Sequence, residues 1–226
     1  MAGQITAIRV QKHKPGRASV FIDGQFAFGL HTIEAAKLSK GQYLSDGDIA
    51  AFQVADEEER AHERALHFLS YRPRSAAEVA RRLRQKGFSD AATDAVLGRL
   101  ARSRLVDDEA FARYWIRNRE QFNPRGRYGL RYELRQKGVA DSVIDALLEG
   151  VDEEGNAYRV ATQRLARWER TRNIRRMDSA TLRRKLTGHL RRRGFGYAII
   201  QEVWERIKGE RLAGELDSEE REDTIP

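Results

Sequence analysis

Three arginines recur at one place in a repeated segment, and their guanidinium groups could bind another molecule. The sequence LRQKG occurs twice, 51 residues apart, and the related sequence LRRRG follows after a further 56 residues. The arginine next to the leading leucine is Arg84, Arg135 and Arg191 in turn. Because a guanidinium group is charged at all ordinary pH values and matches the oxygens of phosphates and carboxylates, this pattern indicates recognition of a polyanion or an acidic surface.

Each copy of the segment has the features of a helix end. The cations offset the negative end of the helix dipole, and the glycine can take the left-handed backbone conformation that closes a helix. An apolar residue stands four positions before each leading leucine, which makes one buried helical face. These pairs are Val79 with Leu83, Leu130 with Leu134, and Leu186 with Leu190. With the leucines inward, the three arginines point outward. A solvated helix face without a partner is the alternative explanation.

The predicted binding residues add neighbouring cations to the three register arginines. Arg81, Arg131 and Arg184 enlarge the outward patch, whereas Lys86, Lys137 and Arg193 are expected near the core edge with their charged groups in water. A basic row over stacked repeats suits a nucleic-acid backbone or an acidic groove on a partner protein. The predicted residues are Arg81, Arg84, Lys86, Arg125, Arg127, Arg131, Arg135, Lys137, Arg172, Arg175, Arg176, Arg184, Arg191, Arg192 and Arg193.

Residues that could support catalysis are present but have no recognisable arrangement. The acidic run at 56–59 lies at a helical segment, where successive carboxylates point around the helix instead of converging on a metal. No pair of histidines has ligand spacing, and no glycine loop is followed by Lys-Ser or Lys-Thr. We therefore predict no catalytic residues, no metal site and no cofactor, and the chain is not expected to be an enzyme. The five histidines are His13, His31, His62, His67 and His189.

The charge distribution also favours binding. The 226 residues carry a formal charge of +8, but residues 155–207 hold fourteen bases against four acids, whereas residues 107–154 hold eight against eleven. This asymmetry indicates a polyanion for the third repeat and a protein for the middle one. Arginine makes up 34 of the 42 bases, which a GC-rich genome would also explain. Without cysteines, a signal peptide or a membrane span, the chain is expected to be cytoplasmic.

The pattern along the chain predicts a mainly α-helical fold. Residues 1–55 form a small β-rich module with a hairpin at Asp23-Gly24 and a short helix. Three three-helix repeats follow as a tandem array, and residues 209–226 form an acidic tail that is expected to be disordered. The repeats are repeat 1 (56–106), repeat 2 (107–153) and repeat 3 (154–208).

Several motifs resemble those of the RecX family of regulatory proteins. The first repeat of that family is similar to residues 65–75 (ALHFLSYRPRS) with Glu78 and residues 83–88, and residues 105–112 (LVDDEAFA) continue the likeness. The central motif of the family resembles Arg125-Gly126-Arg127 followed by residues 133–139 (ELRQKGV). The resemblance covers about residues 60–207, and repeat 3 keeps only its leucine and Gly-Phe frame.

The resemblance implies a cytosolic helical protein without catalytic residues that binds the RecA recombinase filament. Such a protein lies in the filament groove near DNA and mainly inhibits the recombinase, ATPase and coprotease activities that serve DNA repair, recombination and the SOS response. We expect a monomer that contacts single- or double-stranded DNA through its basic face. The alternative is a sequence-nonspecific nucleic-acid-binding protein with no recombinase partner.

Overall fold

A computed structural model describes residues 2–12, 14–170 and 177–222, with the side chains of all of these except 14–15 and 212–222. The chain divides into two compact units, Met1–Asp107 and Asp108–Pro226. The first unit contains a β-sheet and repeat 1, and the second contains repeats 2 and 3. The predicted class is confirmed, since an antiparallel strand module precedes tandem three-helix repeats. Within the described ranges, no helix has the length and apolar character needed to cross a membrane.

The N-terminal module is a four-stranded antiparallel sheet in the order β3-β2-β1-β4. Its elements are β1 (Gly3–Gln11), β2 (Lys14–Ile22), β3 (Gln25–His31), the single-turn helix α1 (Thr32–Ala35) and β4 (Tyr43–Leu44). The predicted hairpin is confirmed. Ile22 pairs with Gln25, and the two turn residues have positive φ, 48° at Asp23 and 82° at Gly24. Two successive positive φ angles form the turn type that matches the twist of paired strands.

Helix α2 (Asp46–Leu69) belongs to both the sheet module and repeat 1. Ile49 packs in the sheet core, whereas Ala61 and Ala65 pack in the core of repeat 1. The side chains of Arg17 on β2 and Asp56 on α2 form an ion pair, and they are only 11% and 10% exposed. The boundary expected between residues 55 and 56 therefore falls inside one continuous helix that the sheet and the repeat share.

The repeats share one plan, in which the leading leucine of each segment is fully buried. Leu83, Leu134 and Leu190 are each 0% exposed, and each lies in a separate apolar core. Repeat 1 combines the second half of α2 with α3 (Ala76–Gln85) and α4 (Asp90–Arg102). Repeat 2 contains α5 (Asp108–Phe122), α6 (Arg127–Gln136) and α7 (Asp141–Glu149), and repeat 3 contains α8 (Glu153–Arg170), α9 (Ser179–Arg192) and α10 (Tyr197–Glu222).

The glycine turns that join the second and third helices are the same in every repeat. Gly87, Gly138 and Gly194 have φ of 83°, 77° and 81°. In each turn the glycine amide donates to the carbonyl of the preceding arginine position, and the next amide donates to the carbonyl of the leading leucine. These two hydrogen bonds are the Schellman closure of a helix, in which glycine takes the left-handed conformation at no steric cost. The predicted helix–glycine–helix arrangement is thus confirmed.

The acidic tail was predicted for residues 209–226, of which 223–226 lie outside the described residues. The described part continues the backbone of α10 to Glu222. Glu210 explains how the helix continues past residue 208. Its carboxylate accepts a hydrogen bond from Arg206 one turn earlier (3.1 Å) and another from the Tyr158 hydroxyl on α8 (2.7 Å). An i, i+4 pair of this kind supports a helix, and the contact with α8 attaches it to the repeat.

Candidate binding surfaces of repeats 2 and 3

The register arginines of repeats 1 and 2 face outward as predicted, but each has an aspartate partner. The Arg84 and Arg135 side chains are 52% and 55% exposed. Arg84 Nε donates to Asp90 Oδ1 at 2.6 Å, and Arg135 Nε donates to Asp141 Oδ1 at the same distance. The hydrogen bond from Arg135 lowers the pKa of Asp141. Exposed pairs of this kind contribute little to stability, so an external ligand could replace either partner.

Repeat 3 lacks the aspartates that hold the register arginine in the other two repeats. Adding the 56-residue spacing to Asp141 and Asp145 gives Tyr197 and Gln201. In repeat 2, Asp145 forms an ion pair with Arg131, so both acids of that helix hold arginines. Within the part of the chain that the structure describes, Arg191 forms no ion pair with a carboxylate. The guanidinium of Arg191 is therefore exposed and not neutralised.

A groove between α9 and α10 contains Arg191, and we call it the repeat-3 groove. The groove has a volume of about 830 Å³. Trp204 lies in its floor at 6% exposure, while Tyr197 on its rim is 68% exposed. Arg183 Nη2 donates to Gln201 Oε1 across the groove. Its charged residues are the cations Arg183, Arg184, Arg191 and Lys208 and the acid Glu205.

A second exposed surface lies on α6 of repeat 2, and we call it the α6 face. Its members are Tyr128, Arg131, Tyr132 and Arg135. Arg131 and Tyr132 each lie three or four residues from both Tyr128 and Arg135, which places all four on one side of the helix. The two tyrosines are 66% and 67% exposed. Leu130 and Leu134 occupy the opposite side of the helix and are 0% exposed. Burial of the leucines fixes the rotation of α6, so the aromatic and guanidinium groups are presented outward.

Arg193 is one of three predicted binding residues that lie at the junction between repeats 2 and 3. Its Nη1 donates to Asn123 Oδ1 at 2.7 Å and to the Pro124 carbonyl at 3.2 Å. Its own carbonyl accepts from the Gly126 amide at 3.0 Å. Burial, together with repulsion from Arg125 and Arg164, lowers the pKa of Arg193. In this structure the side chain serves the junction and is directed away from solvent.

Arg125 and Arg127 are also held by groups of the protein itself. Arg125 Nε lies 3.4 Å from Glu133 Oε1, and Arg127 Nη2 donates to the Val151 carbonyl at 3.1 Å. Their side chains are 30% and 43% exposed. Glu133 is also bound by the indole nitrogen of Trp115 at 2.8 Å. These two predicted binding residues are therefore engaged within the chain, and their role in binding a partner stays a prediction.

The remaining predicted residues have no common surroundings. Arg81, Lys86 and Arg192 are exposed, and Lys137 Nζ lies 4.9 Å from the centre of the Trp115 ring. The predicted residues Arg172, Arg175 and Arg176 lie outside the described residues. Sequence reasoning missed the groove cations Arg183 and Lys208. It also missed Tyr128, Tyr132, Tyr197 and Gln201, which an alignment of the repeats by their glycines could have found.

The acidic run at 56–59 supplies partners for three separate contacts. Asp56 pairs with Arg17, Glu57 accepts a hydrogen bond from the Ser89 amide at 2.7 Å, and Glu59 accepts one from Arg99 at 2.7 Å. Successive carboxylates on α2 thus point to different neighbours, as expected for a helix. Among the described residues, no three histidines, cysteines or carboxylates form a group that could hold a metal ion.

Comparisons with known proteins cover the sheet module as well as the repeats. The RecX first three-helix domain matches residues 61–100, the RecX second three-helix domain matches 107–148, and the regulatory protein RecX N-terminal domain matches 3–45. The regulatory protein RecX of Lactobacillus johnsonii is 34% identical over 222 residues, which cover 97% of this chain and 77% of that protein. The chain belongs to the RecX family. The Bacillus subtilis RecX is 31% identical over 91% of the chain and 78% of its own length.

A solved RecX structure shares the same architecture. A crystal structure titled regulatory protein RecX matches with a TM-score of 0.69 and 27% identity, and the match covers 91% of this chain and all of that chain. The relatives are named as regulatory proteins. The relatives are thus regulatory proteins, and the sheet module and tandem helical domains of this chain correspond to the domains of that family.

Proposed function

We propose that this RecX-family chain binds the filament of the RecA recombinase and restrains its ATP hydrolysis, strand exchange and stimulated cleavage of repressors. Family membership over 97% of the chain supports a regulatory role. The observation that carries the proposal is the α6 face. Its two exposed tyrosines and two arginines are aligned on one rigid helix of a known regulator family.

The composition of the α6 face fits a protein partner better than a nucleic acid. Tyrosine and arginine are enriched among the residues that dominate protein–protein binding. Tyrosine buries much area with few rotatable bonds, and arginine offers a planar group that binds carboxylates through several hydrogen bonds. Arg131 and Arg135 already have carboxylate partners, Asp145 and Asp141, so carboxylates of a partner could take their place. The stretch 107–154 has three more acids than bases, which disfavours a phosphate backbone.

The repeats of this chain suit a filament, in which one subunit recurs at regular steps. The same glycine turn presents an arginine from each repeat, Arg84, Arg135 and Arg191. Equivalent elements can contact equivalent surfaces on successive subunits, which strengthens binding through effective concentration. Bound in this way, the chain would hinder addition of subunits and the conformational steps of the filament.

The test is ATP hydrolysis by the recombinase on single-stranded DNA, with this protein added well below equimolar amounts at low salt. We expect inhibition by the native chain and at least about tenfold weaker inhibition by Tyr132→Ala combined with Arg135→Ala, which removes two adjacent contacts. Tyr43→Ala is the matched control, because Tyr43 is a 66% exposed tyrosine on β4 of the sheet module. Equal potency of the native chain and the double variant would argue against the α6 face.

Two further measurements separate this proposal from nonspecific nucleic-acid binding. A pull-down of the recombinase without DNA should retain the native chain and lose the double variant. An unrelated ATPase that depends on single-stranded DNA should keep its activity in the presence of the chain. Inhibition of both ATPases to the same extent, together with no pull-down, would favour a nucleic-acid-binding protein that has no recombinase partner.

A further inference from the structure

We propose that the repeat-3 groove binds the sugar–phosphate backbone of a single-stranded nucleic acid, with Tyr197 stacking on a base. The inference deepens the proposed function by giving repeat 3 a ligand of its own. It does not depend on the α6 face, and its test omits the recombinase. Either proposal can therefore fail while the other stands.

The charge of the groove is the first support. Its four cations, Arg183, Arg184, Arg191 and Lys208, face one acid, Glu205. A concave site with this excess concentrates anions, because its low-dielectric walls limit screening by solvent. The residues Ser179, Thr187 and Gln201 in the same lining carry hydroxyl and amide groups. Such groups donate to phosphate oxygens in many nucleic-acid complexes.

The difference between the repeats is the second support. In repeats 1 and 2 the third helix begins with an aspartate, Asp90 or Asp141, that holds the register arginine. A second acid follows one turn later in both repeats, at Asp94 and Asp145. Repeat 3 has lost both acids while keeping the arginine, the glycine turn and the buried leucine. The two positions that would neutralise Arg191 thus hold Tyr197 and Gln201.

The residues that replaced the acids favour a single strand over other polyanions. Tyr197 presents a ring that is 68% exposed beside the cations. Unpaired bases stack on exposed aromatic rings without sequence preference, and cationic grooves guide their backbone. In a duplex the bases are stacked on one another and offer no free face to Tyr197. The carboxylates of an acidic peptide would pair with the cations, but its side chains offer no flat face on which the Tyr197 ring could stack.

Fluorescence anisotropy with a labelled oligothymidylate and the full chain, without recombinase, tests the inference. We expect Arg191→Ala to weaken binding about tenfold and to reduce the magnitude of the salt slope by about 0.7, the single-strand value for one phosphate contact. Arg84→Ala is the matched control, because Arg84 has the same register but is paired with Asp90. We expect this control to change the affinity less than about twofold, since its charge is already neutralised.

Restoring the lost acids gives a second test. Tyr197→Asp combined with Gln201→Asp should weaken oligothymidylate binding more than about tenfold, because the new carboxylates would pair with the groove cations as in repeat 2. Acids at the start of α10 suit the helix dipole, so the variant should fold. The control is Ala91→Asp with Ala95→Asp, which adds the same charge at exposed positions of α4 in repeat 1.

The outcomes are distinct. The inference is supported if the groove variants lose affinity for oligothymidylate and the control variants do not. It also requires that Tyr197→Phe binds nearly as tightly as the native chain and that Tyr197→Ala binds more weakly. Equal weakening by the two double variants would overturn it, because the affinity would then follow net charge. Tighter binding of duplex DNA or of polyglutamate than of oligothymidylate would overturn it as well. The groove variants leave the α6 face unchanged, so their inhibition of the recombinase is measured separately and does not decide this inference.

Discussion

At the scale of single residues, His189 is a half-buried imidazole among arginines of repeat 3. Burial, followed by repulsion from Arg193, Arg164 and Arg192, lowers the pKa of His189 to about 4. In the unfolded chain its pKa would be about 6.5. Between these values the unfolded state binds a proton that the folded state does not. The stabilising effect of neutral His189 is therefore complete above the unfolded pKa and is lost as the pH falls toward 4.

We expect the urea midpoint of repeat 3 to be the same at pH 8 and pH 7 and to fall by pH 5. Between pH 7 and pH 5 the free energy of unfolding should change by less than the ideal 1.4 kcal/mol per pH unit. We expect about 1 kcal/mol per pH unit or less, because solvent partly screens the His189 ring. Fluorescence of Trp168 and Trp204 reports the unfolding of this repeat. His189→Gln should remove much of the fall between pH 7 and pH 5. A variant with the full pH dependence would show that other groups cause it, and His67→Gln in repeat 1 serves as the control.

At the scale of elements, two glycines allow repeats 2 and 3 to pack backbone against backbone. A Cβ atom at Gly126 would lie 2.2 Å from the Gly194 carbonyl oxygen and 2.4 Å from Phe195 Cα. One at Gly129 would lie 2.6 Å from the Arg193 carbonyl oxygen. Since backbone cannot rotate aside as a side chain can, the start of α6 and the turn before α10 must separate to admit any other residue.

We expect Gly126→Ala to lower the free energy of unfolding of the second unit by about 1–3 kcal/mol, or more where the junction opens. Gly98→Ala is the control, because Gly98 lies within α4 and its nearest contact would be the flexible Arg102 tip at 3.4 Å. That change should stabilise by about 0.5–1 kcal/mol through helix propensity. Chemical denaturation followed by circular dichroism measures both variants, and tryptophan fluorescence follows the second unit separately, because all three tryptophans lie in it. Equal stabilities for Gly126→Ala and the native chain would mean that the junction tolerates the separation.

The elements that the sequence predicted are those specified by nearby residues. Periodic leucines and the closing glycines define α3, α6 and α9, and the Asp-Gly pair defines the hairpin of the sheet. The shared role of α2 was not predicted, because helical periodicity shows which side is buried but not against what. The internal use of Arg193 was not predicted either. It depends on the close contact between Gly126 and Gly194, which are 68 residues apart in the sequence. A local sequence pattern cannot predict such a contact.

The candidate surfaces were predicted only in part for a similar reason. Exposure of Arg84, Arg135 and Arg191 followed from the helical register and is confirmed. Whether each guanidinium is neutralised depends on the first residue of the next helix, beyond the glycine turn. That residue is aspartate in repeats 1 and 2 and Tyr197 in repeat 3. The aromatic members of both surfaces were missed because exposed tyrosines interrupt no apolar pattern and so give no periodic signal.

At the scale of the whole molecule, charge is divided between two kinds of surface. Residues 155–207 have ten more bases than acids, and residues 107–154 have three more acids than bases. The repeat-3 groove holds four cations and one acid, Glu205, whereas the arginines of the α6 face are paired with Asp141 and Asp145. Binding at the groove should release counterions from the nucleic acid, while binding at the α6 face exchanges one carboxylate for another.

The two binding reactions should therefore respond differently to salt. For oligothymidylate we expect log K to fall with log[KCl] with a slope of about −3, as four phosphate contacts on a single strand would give. For recombinase without nucleic acid we expect a slope of about −1 or shallower, since exchanged pairs leave little net charge to screen. Titrations between low and moderate KCl, by anisotropy for the oligonucleotide and on a sensor surface for the recombinase, measure both. Similar steep slopes would mean that one electrostatic surface serves both partners, because two independent sites with these charges cannot share a salt dependence.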